Sequence, residues 1–222
     1  MKKLLKLLMQ VTGLLGAIIE IMLFGISAML IRHSSNSLLN LGFLSYYWLC
    51  FTVLTGIWEA CFVSNYTNTA LYSSQILSNK QHVWSQKYGL DMLIPSRLAR
   101  IFYAEYGAYA DSEYMTRTDF WSRLIESTHA IFCGLFSLGG LLTLLLTGNR
   151  STYAVFAAVA MGSQLMNSIL YMGQYFIKTR DSNSPNYNTP SFPVGKWLLD
   201  RPFMYVNVFW TLMPSLIIYN MI

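Results

Sequence analysis

The chain has 222 residues, of which 54% are hydrophobic and only 11% are charged. Soluble domains have about 25% charged residues, so this composition excludes an ordinary soluble protein and predicts a single-domain integral membrane protein. The formal net charge of +5 does not indicate nucleic-acid binding, because every lysine and arginine except Arg32 and Arg150 lies on one predicted side of the membrane. By the positive-inside rule, this asymmetry predicts a cytoplasmic N-terminus.

Five apolar segments are long enough to cross a bilayer, which takes about 20 residues per helix. The first follows a basic N-terminal stretch and is too long for a cleaved signal peptide, so we expect a retained signal anchor. It should pair with the second segment through a short polar loop. The segments cover approximately residues 11–31, 42–64, 121–147, 152–177 and 202–222. The predicted fold is an all-α integral membrane protein, a five-transmembrane-helix bundle with an internal ligand pocket.

Two longer connections separate these segments. Residues 65–120 form the longest region that does not cross the membrane, and within it residues 97–103 are amphipathic at helical spacing. We expect this stretch to lie on the membrane surface with its arginines toward lipid phosphates. Residues 178–201 are rich in proline and predict an irregular connection.

Polar side chains recur on one helical face of every apolar segment. An ionised side chain at bilayer depth costs at least about 2.5 to 3.5 kcal/mol, so these faces should turn inward and form a polar pocket. In chain order they carry Gly13, Gly16 and Glu20; Thr52, Thr55 and Glu59; Glu126, His129 and Cys133; Gln164, Asn167, Tyr171 and Gln174; and Asn207, Trp210 and Pro214.

Hydrogen bonding between helices is the alternative explanation of these faces. Such bonds contribute roughly 0.6 to 2 kcal/mol each. For the amides of the fourth segment this alternative stays open, whereas carboxylates are too unfavourable in a membrane to serve only as helix contacts. The role of Glu20 stays undecided between pairing with a polar face and lying near a water-filled entrance.

Several classes of protein find little support in the sequence. Cys50, Cys61 and Cys133 all fall inside predicted helices, show no disulfide framework, and are expected to be ordinary packing residues. No metal site is predicted, because no short-range ligand motif is present. A transporter is not favoured either, because the chain has no inverted repeat.

Five short motifs occur in the order and spacing of a known family over about residues 48–215. The chain resembles the emopamil-binding protein family, whose shared unit is the EXPERA domain. The motifs are Glu59 within Gly56-Ile57-Trp58-Glu59-Ala60-Cys61-Phe62-Val63; Glu105-Tyr106 with Asp111-Ser112-Glu113-Tyr114; Glu126 at the start of the third segment; Gln164 with Ile169-Leu170-Tyr171; and Asn207-Val208-Phe209-Trp210 with Pro214.

The resemblance implies a sterol Δ8–Δ7 isomerase of the endoplasmic reticulum membrane that needs no cofactor. In that reaction an alkene carbon is protonated, a carbocation forms, and a neighbouring carbon loses a proton. We expect Glu59 to transfer the proton and Glu126 to stabilise the cation. Trp210 would add a cation–π contribution of about 2 kcal/mol in a dry site. The remaining expected site residues are Asn207, which would orient a carboxylate, and the substrate contacts Thr55, Gln164 and Tyr171.

The chain departs from the family pattern at three positions. Thr55 stands where the isomerases have a histidine, His129 where they have a threonine, and Ser168 where the family has an acid. His129 lies one helical turn from Glu126, and we expect it to act as a proton shuttle or hydrogen-bond partner. The alternative is a structural histidine near the start of its helix.

These departures leave two further functions open. The first is a catalytically silent protein that binds sterols or cationic amphiphiles, since a carboxylate facing an aromatic ring in an apolar cavity binds hydrophobic amines. The second is a structural subunit of a membrane assembly. The expected partners are a sterol or hydrophobic amine ligand, the lipid bilayer and, for an oligomer, a second copy in a homodimer.

Overall fold

The computed structural model describes residues 10–34, 36–110, 120–178 and 202–221, and nearly all of them are helical. The described elements are the strands β1 (Gln10–Thr12) and β2 (Lys87–Gly89) and the α-helices α1 (Gly13–His33), α2 (Phe43–Ser64), α3 (Tyr66–Ser78), α4 (Pro95–Glu105), α5 (Phe120–Thr147), α6 (Arg150–Lys178) and α7 (Pro202–Tyr219), with short 3-10 helices at Ser37–Leu41 and Leu90–Leu93 and a π-helical turn at Tyr106–Ala110.

Four described helices are long and apolar enough to cross a membrane, which indicates a multi-pass membrane protein. The fifth predicted segment is also helical, but its described apolar part, Tyr205–Tyr219, is shorter than the other four. The crossing helices cover Gly13–His33, Phe43–Ser64, Leu124–Thr147 and Arg150–Gly173. The predicted helix positions therefore agree with the structure, and a fifth crossing stays a prediction.

The helices begin and end where the local chemistry favours it. Thr12 caps α1, because its side chain accepts a hydrogen bond from the backbone N–H of Leu15 at 3.2 Å. Gly148 ends α5 with a φ of 66°, a conformation that glycine adopts without strain. Directly after it, the Asn149 side chain accepts a hydrogen bond from the N–H of Thr152 and caps α6.

The bundle is built around α2, which packs most extensively against α5. Next along the chain, α5 packs on α6, and α6 on α7. The contact between α2 and α5 is close because two glycines meet there. A Cβ atom on Gly56 would lie 2.8 Å from the carbonyl oxygen of Ala130 and 3.4 Å from the Cα of Gly134. This approach sets α2 directly beside α5, with Glu59 about one helical turn after Gly56 and His129 directly before Ala130.

The all-α prediction needs one small correction, because β1 and β2 form an antiparallel pair. Gln10 pairs with Gly89, and Thr12 with Lys87. The pair ties the start of α1 to the region between α2 and α5. Val83 is fully buried beneath it, and the carbonyl of Trp84 accepts a hydrogen bond from the N–H of Leu14. Beyond this tie, most of the side chains of α1 are exposed.

The region predicted as an interfacial loop at 65–120 is folded in its described part. It contains α3, β2, α4 and the π-helical turn, and α4 covers the predicted amphipathic stretch. On α4, Leu98 and Ile101 are buried while Arg97 and Arg100 are exposed. Residues 111–119, including the Asp111-Ser112-Glu113-Tyr114 motif, lie outside the described residues, as does most of the predicted irregular connection at 178–201.

Candidate functional site

One cavity of about 390 Å³ lies inside the bundle, and we refer to it as the inner cavity. Helices α2, α5, α6 and α7 surround it, and α4 with the π-helical turn closes one side. All eight residues that the sequence predicts for the site line it: Thr55, Glu59, Glu126, His129, Gln164, Tyr171, Asn207 and Trp210. Twelve further residues also line it: Phe51, Thr52, Trp58, Phe102, Tyr103, Tyr106, Ala130, Cys133, Asn167, Ser168, Val206 and Phe209.

Glu59 is buried at one end of the inner cavity, where only 6% of its surface is exposed. Its carboxylate accepts a hydrogen bond from the hydroxyl of Tyr103, which α4 supplies. The Tyr103 ring is fixed in turn by stacking on Phe62, with ring centroids 4.5 Å apart. This bond holds the carboxyl group of Glu59 in one orientation.

The hydroxyl group of Tyr103 stays protonated in this site. Burial raises the pKa of the Tyr103 hydroxyl well above its usual value, and the charge of Glu59 and the hydrogen bond to it raise this pKa further. Tyr103 therefore keeps its proton and acts as a donor. The second acid, Glu126 of α5, lines the same inner cavity as Glu59 of α2.

His129 and Cys133 form a pair on α5. The Sγ atom of Cys133 lies 3.3 Å from Nε2 of His129, at the i and i+4 spacing that brings side chains together on a helix. His129 therefore has a hydrogen-bond partner inside the protein, as the alternative of a structural histidine requires. It also lines the inner cavity, so a role in proton transfer stays a prediction.

The amide of Gln164 is held by hydrogen bonds between α6 and α2. Its Oε1 atom accepts a bond of 2.8 Å from Nε1 of Trp48, and its Nε2 atom donates to the hydroxyl of Thr52 at 3.4 Å. These bonds fit the alternative of helix–helix hydrogen bonding that the sequence left open for this residue. We infer that Gln164 shapes the cavity wall.

The indole ring of Trp210, which lines the inner cavity, packs within a group of aromatic side chains. The indole of Trp210 packs at 4.9 Å from Trp48 and 5.7 Å from Phe51, measured between ring centroids. Phe209 contacts the same Trp48 edge-on at 5.2 Å. Such packing fixes the orientation of the Trp210 ring.

Pro214 also affects the position of Trp210. A proline inside a helix has no N–H to donate to the carbonyl four residues earlier, which here is the carbonyl of Trp210. The hydroxyl of Ser168 on α6 donates to this carbonyl instead, at 3.3 Å. Ser168, one of the departures from the family pattern, therefore joins α6 to α7 at the freed carbonyl.

We expect Ser168→Ala to destabilise the protein by about 1 kcal/mol, because the Trp210 carbonyl loses its donor in an apolar surrounding. Thermal unfolding of the purified protein in detergent measures the change. In a Pro214→Ala background the same substitution should have much less effect, because residue 214 then donates its own N–H. Equal losses in both backgrounds would refute this account of Ser168.

Two predicted polar residues, Glu20 and Gln174, fall outside the inner cavity or the described side chains. Glu20 is buried on α1 but does not line the cavity. Gly16 of the same face packs against the side chain of Met92. This face of α1 therefore contacts the region 65–120 and not the interior of the helix bundle. The side chain of Gln174 lies outside the described part of the structure.

Sequence reasoning missed Tyr103, Tyr106 and Phe102, which α4 and the π-helical turn bring to the inner cavity. Tyr106 and Tyr171 bring their hydroxyl oxygens to 3.2 Å of each other at the same side. The tyrosines follow the arginines of the amphipathic stretch, and the amphipathic spacing was the one feature of the sequence that could have pointed to them. This spacing predicts a helix at the membrane surface, but it does not show which other helices the apolar face of that helix contacts.

Comparison of the chain with protein-family models, with curated proteins and with solved structures gives no match. The resemblance to the emopamil-binding family therefore depends on the sequence motifs alone. Among the described residues, no group of three or more His, Cys, Asp or Glu side chains is placed to hold a metal ion.

Proposed function

We propose that this protein is a five-span membrane enzyme of the emopamil-binding type that moves a sterol double bond from Δ8 to Δ7. One observation carries the proposal. Glu59, Glu126 and Trp210 line the same inner cavity, where the hydroxyl of Tyr103 donates a hydrogen bond to Glu59. Two acids and an aromatic face in an apolar cavity are the groups that a carbocation reaction requires.

The reaction needs a proton donor, a proton acceptor and stabilisation of a cation. The Δ8 bond joins C8 and C9, so a proton delivered to C9 leaves the positive charge on C8. Loss of a proton from C7 then returns the electron pair as the Δ7 bond. Atoms and electrons balance without an oxidant or reductant, so this mechanism uses only the side chains of the chain.

The predicted site residues of the inner cavity take the following roles in this reaction. Glu59, with its carboxyl group oriented by Tyr103, delivers its proton to C9, and the carboxylate left behind takes up the proton released from C7. Glu126 faces the cationic intermediate, and the indole of Trp210 adds cation–π stabilisation. Asn207 lies on the same cavity side as Trp210 and orients a carboxylate, while His129 moves protons to or from Glu126. The apolar rest of the cavity excludes water, which would otherwise trap the cation.

Expression in yeast that lacks its sterol isomerase tests this proposal directly. The chain should restore the Δ7 sterols, and mass spectrometry of the extracted sterols measures them. Accumulation of Δ8 sterols with a correctly folded, membrane-bound protein would refute isomerisation.

Thr55 gives a specific reason to keep the silent ligand-binding alternative. It occupies the place of the isomerase histidine and lines the inner cavity without supplying an imidazole. Such a protein would bind hydrophobic amines through Glu59 and Glu126 and form no Δ7 product. Equilibrium binding of a tertiary amine to the purified protein, measured beside the sterol assay, separates the two functions.

We expect Tyr103→Phe to lower the rate of product formation by about tenfold, since hydrogen bonds to charged groups contribute about 1.5 to 3 kcal/mol. Phenylalanine keeps the stacking on Phe62 and removes only the bond to Glu59. Tyr109→Phe is the matched control, because it removes a tyrosine hydroxyl that bonds the carbonyl of Gln81 outside the inner cavity. Equal rates in both variants would contradict a role for Tyr103 in orienting Glu59.

The membrane arrangement belongs to the same proposal. We place the protein in the endoplasmic reticulum, with α7 as the fifth crossing and the N-terminus in the cytoplasm. Protease protection of tags at the two ends of the chain, in sealed microsomes, tests this arrangement. Tags that are digested from the same side would exclude an odd number of crossings.

A further inference from the structure

A second cavity, of about 550 Å³, lies at the end of the bundle where α2 finishes, and we refer to it as the surface cavity. Asn65, the residue directly after α2, lines it together with Tyr72 of α3. Because α2 is long and apolar enough to cross a membrane, its end marks the boundary of the hydrocarbon layer. The surface cavity therefore lies at the depth of lipid head groups.

The charged groups of the surface cavity are two arginines and one aspartate. Arg97 forms an ion pair with Asp91, and both side chains are more than half exposed. No carboxylate within the described ranges pairs with Arg100. Its guanidinium carbon lies 5.4 Å from the centre of the Tyr72 ring, in a cation–π contact. One positive charge of the cavity is thus left without an acidic partner.

The tyrosine side of the surface cavity is fixed before any ligand arrives. The hydroxyls of Tyr72 and Tyr88 lie 2.9 Å apart, and Tyr72 also donates to the side chain of Gln86 at 3.1 Å. Burial, and then the bond to Tyr72, raises the pKa of Tyr88, so this hydroxyl adds no negative charge. An anion that enters the cavity meets a rigid aromatic wall and a guanidinium already held against it.

We propose that the surface cavity binds the phosphate of an anionic phospholipid head group through Arg100, with Arg97 as the second cation. Guanidinium groups bind phosphate oxygens through paired, charge-assisted hydrogen bonds. A lipid is favoured over a free anion because the cavity lies at the end of a membrane helix and on the amphipathic helix α4. The proposal concerns residues outside the inner cavity and does not depend on the isomerase function.

Titration of the purified full-length protein in non-ionic detergent tests the proposal. The probes are dioctanoyl phosphatidylglycerol, dioctanoyl phosphatidylcholine and inorganic phosphate, with binding measured by native mass spectrometry. Phosphatidylglycerol should bind most tightly, and Arg100→Gln should weaken it about tenfold. Arg97→Gln with Arg100→Gln should weaken it further, and Arg100→Lys should retain part of the affinity.

Two variants serve as controls. Lys87→Gln removes an exposed positive charge next to Tyr88, and Lys87 does not line the surface cavity, so affinity should change less than twofold. Arg32→Gln removes an exposed positive charge in the last turn of α1, outside the surface cavity, and should leave lipid binding unchanged. Unfolding midpoints of all variants show whether a loss of binding comes from misfolding.

Three results would overturn the proposal. Equal affinity for inorganic phosphate and phosphatidylglycerol would assign the cavity to a free anion. An equal loss in Lys87→Gln and Arg100→Gln would show attraction by net charge and no defined site. Unchanged phosphatidylglycerol affinity in the folded Arg97 and Arg100 double variant would exclude the surface cavity altogether.

Discussion

Glu59→Gln is expected to lower the conversion of Δ8 to Δ7 sterols by at least about 100-fold, and Glu126→Gln by a similar factor. Positioned proton transfer contributes about 100-fold to 10,000-fold to enzymatic rates, and stabilisation of developing charge contributes comparably. Glutamine keeps the volume of glutamate and can still accept the hydrogen bond from Tyr103. It cannot release or take up the proton, so the loss isolates the acid chemistry.

The chain supplies a matched control for these two variants. Glu20 is also a buried carboxyl group, with 9% of its surface exposed, but it does not line the inner cavity. Glu20→Gln should therefore leave the Δ7 sterol content of the complemented yeast nearly unchanged. A loss as large as that of Glu59→Gln would mean that buried acids matter for folding and not for the reaction.

Amine binding by the same variants tests whether the inner cavity is a cation site, whether the protein is an enzyme or a silent binder. If the two carboxylates hold a cation, then Glu59→Gln and Glu126→Gln should each weaken binding of a tertiary amine in both cases. Only an enzyme also loses a product that the unchanged chain forms. Full amine affinity in both glutamine variants would remove the inner cavity as the cation site.

Gly56→Ala is expected to destabilise the protein by about 1 to 3 kcal/mol. The new methyl group would lie 2.8 Å from the carbonyl oxygen of Ala130, so α2 and α5 have to move apart. Because Glu59 lies about one turn after Gly56 and His129 lies directly before Ala130, ligand affinity in the inner cavity should fall as well. Unfolding midpoints in detergent and amine titration measure the two effects.

Gly162→Ala is also a glycine-to-alanine change, but we expect it not to destabilise the protein. Gly162 is also in the middle of a helix, and a Cβ atom there would meet no atom within 4 Å. Alanine favours the helical conformation by about 1 kcal/mol relative to glycine, so this variant should be unchanged or more stable. If Gly56→Ala were also more stable, the contact between α2 and α5 would not require a glycine at position 56, and the prediction would be wrong.

The helix positions could be predicted from the sequence because long apolar segments have few alternatives. The polar faces of the later segments were equally informative, since a buried glutamate such as Glu59 is too unfavourable in lipid to point outward. The first face was misleading. Gly13 and Gly16 allow close approach of the chain near Val83 and Met92, and this packing has no sign in the periodicity of one helix.

The missing parts of the site depend on contacts between distant segments. The position of Tyr103 beside Glu59 joins residues 44 apart in the chain. The bond from Trp48 to Gln164 crosses 116 positions. Amphipathic spacing shows that a helix has a buried face, but not which neighbour covers it. Strands of three residues such as β1 are too short for an alternating pattern, so the strand pair could not be predicted either.

Helix α4 borders both cavities, since Phe102 and Tyr103 face the inner one while Arg97 and Arg100 line the surface one. A shift of this helix on occupation of either cavity would thus couple the two binding equilibria. Linkage requires such coupling to be reciprocal: a head group that tightens sterol affinity is itself bound more tightly once sterol is present. The composition of the surrounding leaflet would then act as an effector of the buried chemistry.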